Sequence, residues 1–148
     1  MIEVKPLKAE DILWVIEHGV KEVGLRATPT EEMREMAEAR EKSGAVTGWV
    51  DGEIFAVGGI DKIWSGVGSI WLMVTPFIDT HVKDCYKCIL KGINKMIKEQ
   101  GIRRLEAFGR VDFPECHTLF KHLGFKVEGL AEARTPDGVD CIMYARIE

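Results

Sequence analysis

The feature that most constrains the fold is a long amphipathic helix predicted between two apolar, strand-like runs. Residues 69–74 are apolar with little alternation, as in a buried strand. A helix capped by Asp79 or Thr80 then extends to about Gln100, and residues 105–111 form the second strand-like run. The apolar stripe of the predicted helix consists of Val82, Cys85, Tyr86, Ile89, Ile93, Met96 and Ile97. Because a strand–helix–strand passage within one sheet takes a right-handed parallel crossover, the chain needs an α/β fold.

The segments on either side of this unit supply further strands and helices. Residues 2–7 alternate apolar and charged side chains, which predicts a strand. Residues 9–23 carry apolar side chains at helical spacing, and Gly24 ends that helix. The cap Thr28 and the first-turn Pro29 begin a second helix, which extends to about residue 42. The remaining predictions are strands at 45–50, 53–60, 125–134 and 141–147, a glycine-rich loop at 64–68 and a short helix at 114–123.

The pair Asp51-Gly52 separates two of these strands and accepts the positive φ angles of a type I′ hairpin turn. Hairpins are antiparallel, whereas the central crossover is parallel. The sequence therefore predicts a mixed sheet of six or seven strands with helices on both faces. A length of 148 residues fits a single domain over 1–148.

The composition excludes several classes of function. A net charge of −4 gives no basic surface for nucleic acid. No apolar run spans a membrane and the N-terminus lacks a signal-peptide pattern, so we expect a cytoplasmic protein without membrane contact. His81, Cys85 and Cys88 have a spacing that raises the question of a metal, but burial of the cysteines as small hydrophobic residues is the preferred interpretation. We expect thiols rather than disulfides, and no metal.

The order of elements resembles the GNAT superfamily of acetyl-CoA-dependent N-acetyltransferases over nearly the whole chain. The segment Leu119-Phe120-Lys121-His122-Leu123-Gly124-Phe125 is similar to a stretch typical of that family, as are the hairpin 50–59 and the opening 4–11. The resemblance implies a fourth strand that splays from the fifth, with the pantetheine of acetyl-CoA bonded to Leu72, Met73 and Val74. It also implies that the pyrophosphate lies at the start of the long helix, against Thr80, His81, Val82, Lys83 and Asp84.

That helix start departs from the usual family pattern. Residues 77–84 contain no glycine, and Asp79 places a carboxylate where the family shows a basic residue. Glycine lets backbone amides approach phosphate oxygens, and a carboxylate repels them. Around 69–84 the chain is more similar to GNAT-like proteins of phages and prophages, which lack the glycine loop. Phe120 stands where many members carry a proton-donating tyrosine.

Three functions remain open after these comparisons of pattern. The first is acetyl transfer from acetyl-CoA to a primary amine, with Glu106, the carboxylate of the fifth strand, as general base. The second is a non-catalytic GNAT-fold protein related to phage proteins, with a structural or partner-binding role. The third is an acyl-CoA sensor without turnover. The resemblance allows a homodimer, since GNAT domains often pair.

Overall fold

A computed structural model describes residues 1–19 and 28–148, which contain seven strands, four α-helices and one 3-10 helix. Along the chain these are β1 (Ile2–Pro6), α1 (Ala9–His18), α2 (Glu31–Glu41), β2 (Val46–Val50), β3 (Glu53–Trp64), β4 (Val67–Val74), the 3-10 helix (Pro76–His81), α3 (Val82–Glu99), β5 (Arg104–Arg110), α4 (Pro114–His122), β6 (Lys126–Ala131) and β7 (Cys141–Ile147).

The seven strands form one sheet in the order β1-β2-β3-β4-β5-β7-β6. β4 and β5 are parallel, with Val67 opposite Arg104 and Ser69 opposite Glu106. The pairs β1–β2, β2–β3, β5–β7 and β6–β7 are antiparallel. The prediction of a mixed sheet of six or seven strands is therefore confirmed, and so is the parallel relation of the two strands that flank the long helix.

By compactness the chain divides into two units, of which the first comprises residues 1–61 and 71–96. Its core joins α1 and α2 to the strands and consists of Leu7, Ile12, Val15, Ile16, Ala37, Ala45, Ile54, Val57 and Trp71. The buried Asp11 accepts a hydrogen bond of 2.7 Å from the Thr47 hydroxyl, which ties α1 to β2. Arg40 of α2 lies over the Trp71 ring at 4.1 Å and pairs with Asp61 at 2.9 Å. The buried carboxylate of Asp11 and the largely buried guanidinium of Arg40 thus each have a polar partner, without which burying them would be costly.

The second unit comprises residues 62–70 and 97–148 and is built on β5, β7 and β6. The carbonyl of Gly66 accepts the backbone N–H groups of Arg103 and Arg104, which fixes the β3–β4 turn on the entry to β5. Gly109 of β5 lets α4 approach closely, since a Cβ there would lie 3.0 Å from both Cys116 Sγ and His117 Cε1. A Cβ at this position would require the side chains of Cys116 and His117 to shift by a few tenths of an ångström.

Several local predictions are confirmed. Asp51 and Gly52 have φ angles of 50° and 81°, as a type I′ turn requires. β7 has the bounds predicted from the sequence, and α2, β5 and α4 agree with their predicted ends within about two residues.

Other local predictions are wrong, because a different side chain forms the cap or a tight turn replaces the loop. Thr30 rather than Thr28 caps α2, since its Oγ1 accepts the Met33 N–H at 3.2 Å. The predicted glycine-rich loop at 64–68 is a two-residue turn, because Gly66 takes a φ of 79° and both strands extend to it. The part of the first predicted helix after residue 19, with its stop at Gly24, lies outside the described residues. Over the described ranges, no helix is both long and apolar enough to cross a membrane.

Candidate functional site

The segment between β4 and α3 is anchored by the hydroxyl of Thr75. This buried side chain donates a 2.7 Å hydrogen bond to the Ile54 carbonyl and accepts the Phe77 N–H at 3.3 Å. The Thr75 N–H also donates to the Phe55 carbonyl at 3.0 Å. A 3-10 helix that begins at Pro76 leads directly into α3, and the Thr80 hydroxyl donates to the Phe77 carbonyl at 2.8 Å instead of capping α3, so of the two predicted caps Thr80 is wrong and Asp79 stays a prediction. Thr75 therefore fixes the start of this whole helical segment on the first residues of β3.

The residues predicted to bind the cofactor form one continuous path. Leu72 and Met73 are half-buried and Val74 is buried, in the last three positions of β4. Thr80 and His81 end the 3-10 helix, and all five residues of the second predicted group are exposed; these are Thr80, His81, Val82, Lys83 and Asp84. The structure thus places the strand group at the end of β4 and the helix group across the junction of the 3-10 helix and α3.

An ion-pair cluster lies at that junction. His81 Nε2 is 2.8 Å from Asp51 Oδ2, and the N-terminal ammonium of Met1 is 2.6 Å from Asp51 Oδ1. The hydrogen bond from the Met1 ammonium, followed by that from His81, lowers the pKa of Asp51 below its ordinary value. Asp51 therefore stays ionised at neutral pH and presents its charge to His81.

Sequence reasoning assigned Asp51 to a turn and missed its contact with His81. The hairpin of β3 and β4 could have indicated this contact, since in an antiparallel pair of strands the end of β4 lies beside the start of β3. The turn that precedes β3 therefore lies at the same end of the sheet as the residues that follow β4.

The start of α3 fits a pyrophosphate poorly. A preceding 3-10 helix supplies carbonyl groups to N–H groups that an isolated helix would leave unsatisfied. No glycine occurs between Gly68 and Gly92, so backbone amides cannot approach phosphate oxygens as closely as glycine allows. Asp51 and Asp84 add negative charge close to the junction, where both act on the Met1 ammonium. The strand group on β4 carries no charge and is compatible with an extended, uncharged pantetheine.

Cys85 and Cys88 do not share a site with His81. The Cys85 side chain is fully buried, as predicted for a small hydrophobic residue, and burial raises its pKa to about 11. No three histidine, cysteine or acidic side chains within the described ranges come together as a metal site would require. All four cysteines of the chain are thiols.

Glu106, the predicted general base, lies half-buried on β5 in an ion-pair cluster. Its Oε2 accepts the Arg104 Nε–H at 3.0 Å, and the same guanidinium pairs with Glu128. The hydrogen bond from Arg104 lowers the pKa of Glu128. In turn, the hydrogen bonds to Glu128 and Glu106 raise the pKa of Arg104. Glu106 therefore shares one permanent cation with a second carboxylate.

Phe120, which replaces the expected tyrosine, is buried next to Tyr144, with ring centroids 5.1 Å apart. His117 Nε2 lies 2.7 Å from the Arg110 carbonyl, and a carbonyl only accepts, so Nε2 carries a hydrogen. In neutral His117, Nδ1 then accepts the Tyr144 hydroxyl at 2.6 Å. Burial raises the pKa of Tyr144. Sequence reasoning missed this pair, because 27 residues separate its members and no motif links them.

The fold is shared by solved acetyltransferases. Ard1 from Thermoplasma volcanium superposes with a TM-score of 0.79 at 16% identity, over 99% of this chain and 97% of that one. The ribosomal-protein-S18-alanine N-acetyltransferase from Escherichia coli gives 0.74 at 18% identity, over 99% and 94%. An acetyltransferase of the GNAT family from Streptococcus pneumoniae gives 0.71 at 14% identity, over 99% of each chain.

No protein-family model matches the sequence, and no curated protein is similar to it at a significant level. The similarity of this chain to solved proteins is therefore one of architecture. The fold predicted from the sequence is confirmed: the chain has the GNAT fold along almost its entire length.

Proposed function

We propose that the protein transfers an acetyl group from acetyl-CoA to a primary amine. The observation that supports this best is the match of fold to solved acetyltransferases over 99% of the chain. The proposed cofactor contacts are the backbone of Leu72, Met73 and Val74 on β4 for the pantetheine. Acetyl-CoA would supply an activated thioester carbonyl that a deprotonated amine can attack.

Glu106 is the proposed general base, acting on the amine directly or through water. Both of its contacts with Arg104 go to Oε2, so the ion pair orients the carboxylate on β5. Phe120 cannot donate a proton, so the departing thiolate would take its proton from elsewhere. The role of Glu106 depends on its side chain and can therefore be tested by substitution.

An assay of thiol release tests the proposed activity. The purified protein is incubated with acetyl-CoA and a panel of primary amines, including peptides with free N-terminal amines. Amine-dependent release of CoA supports the proposal, and release no faster than in protein-free controls across the panel contradicts it.

Matched variants then test the base. Glu106→Gln should lower kcat by about 100-fold or more, the usual contribution of a general base. Glu128→Gln removes the other carboxylate on Arg104 and should leave kcat within a few-fold. Equal losses in both variants would mean that the ion-pair cluster, and not the base, was being measured.

A specific observation favours a second candidate, a non-catalytic GNAT-fold protein that binds a partner. The start of α3 carries an Asp51–His81 pair and lacks glycine, which opposes pyrophosphate binding. The resemblance of residues 69–84 to GNAT-like phage proteins agrees with this candidate. It predicts neither thiol release nor binding of acetyl-CoA at millimolar concentration.

A further inference from the structure

We infer that the Asp51 carboxylate takes the place of a phosphate at His81, so that the β2–β3 turn acts as an internal inhibitor of cofactor binding. The inference rests on the proposed function, because it concerns the same end of α3. It attributes one part of the poor fit, the negative charge of Asp51, to a contact that can be removed.

The contact has the geometry of a bound anion. One carboxylate oxygen lies 2.8 Å from His81 Nε2 and the other 2.6 Å from the Met1 ammonium, so two donors hold both oxygens. Phosphate oxygens are recognised by the same kinds of donor at the same distances. His81 is the last residue of the 3-10 helix and directly precedes α3, the place to which the resemblance to GNAT proteins assigns the pyrophosphate.

The competition is exclusive at the His81 nitrogen. A single N–H forms one strong hydrogen bond, so a phosphate gains this donor only when Asp51 leaves it. The side chains of Asp51 and His81 are 59% and 44% exposed, so the pair can separate without opening the core. The Met1 ammonium contacts Asp51, and Glu3 on β1 and Asp84 on α3 act electrostatically on that ammonium. The lowered pKa of Asp51 keeps the inhibiting charge in place at all neutral pH values.

The test is calorimetric titration of CoA, and separately of inorganic pyrophosphate, into wild type and Asp51→Asn. Asparagine is the preferred residue for a positive φ in a type I′ turn, so the variant keeps the hairpin. We expect CoA to bind the variant roughly two- to fivefold more tightly, the range of weak electrostatic effects at exposed sites. Glu53→Gln is the matched control, since it removes an exposed carboxylate from the same hairpin, and should leave the affinity unchanged.

A third variant, His81→Ala, shows whether the effect acts through the histidine. The gain from Asp51→Asn should disappear in the His81→Ala background. An equal gain in that background means general charge repulsion and overturns the inference.

The remaining outcomes separate this inference from the proposed function. If wild type binds CoA and Asp51→Asn binds it no better than Glu53→Gln, the inference is wrong and the proposed function stands. If no variant binds CoA or pyrophosphate at millimolar concentration, both are wrong.

Discussion

Thr75 offers the sharpest stability test, because a single hydroxyl joins β3, β4 and the helix start. Thr75→Val replaces the hydroxyl by a methyl group of similar volume, so the Ile54 carbonyl loses a 2.7 Å hydrogen bond inside the core. A buried polar group left without its partner costs about 1 to 3 kcal/mol. Loss of the cap on Phe77, whose bond is long at 3.3 Å, adds about 0.5 kcal/mol, the low end for such caps.

We therefore expect Thr75→Val to lower the free energy of unfolding by about 1.5 to 3.5 kcal/mol, the sum of these two effects. Because 1 kcal/mol shifts the Tm of a domain of this size by about 2 to 4 °C, the Tm should fall by roughly 3 to 14 °C. Urea unfolding followed by circular dichroism measures the difference directly. Thr75→Ser keeps the hydroxyl, loses one buried methyl group and should cost only about 1 kcal/mol.

The comparison of the two variants carries the result. Thr75→Val within 0.5 kcal/mol of wild type, about the spread of neutral surface changes, would refute the anchoring role. So would a serine variant less stable than the valine variant, since packing would then outweigh the hydrogen bonds.

Three further predictions concern glycine packing, an arginine clamp and a buried thiol. Gly92→Ala should raise the free energy of unfolding by about 1 kcal/mol, because alanine favours the helix and its Cβ would meet no atom within 4 Å. Gly48→Ala should lower the free energy of unfolding by about 1 to 3 kcal/mol, because its Cβ would lie 2.6 Å from the Phe55 ring. Urea titrations of both variants measure these changes. Arg110 holds the pKa of Asp137 well below its ordinary value, so the unfolding free energy should decrease as the pH falls below about 4, where the unfolded aspartate gains a proton, and Arg110→Met should flatten that slope. Burial raises the pKa of Cys85 to about 11, so iodoacetamide at pH 8 should label it only on unfolding, and rapid labelling of the native protein would contradict its burial.

The sequence was sufficient for the architecture wherever a local pattern matched the tertiary packing. The Asp51-Gly52 turn follows from backbone conformation and is confirmed. The apolar stripe of α3 follows from spacing and is buried or half-buried from Cys85 to Ile97, but Val82 at its start is exposed, contrary to prediction. Helix starts were harder. Threonines at 28, 30 and 75 all have cap chemistry, and tertiary contacts decide which of them acts.

The candidate site was only partly open to sequence reasoning. Leu72, Met73 and Val74 could be placed at the end of β4 because strand order fixes that position. The Asp51–His81 contact spans 30 residues and the His117–Tyr144 contact 27, so both depend on the fold rather than on a motif. Long-range polar pairs of this kind leave no periodic signal in a single sequence.

The central claim is that this GNAT-fold chain binds acetyl-CoA, and its most direct test is thermal unfolding at increasing acetyl-CoA concentration. A ligand that binds only the native state raises its stability by about 1.4 kcal/mol at ten times the Kd. We predict a Tm that keeps rising with acetyl-CoA concentration above the Kd and that is raised by roughly 3 to 5 °C at ten times the Kd. A Tm that stays constant up to millimolar acetyl-CoA, in wild type and in Asp51→Asn alike, would contradict the claim.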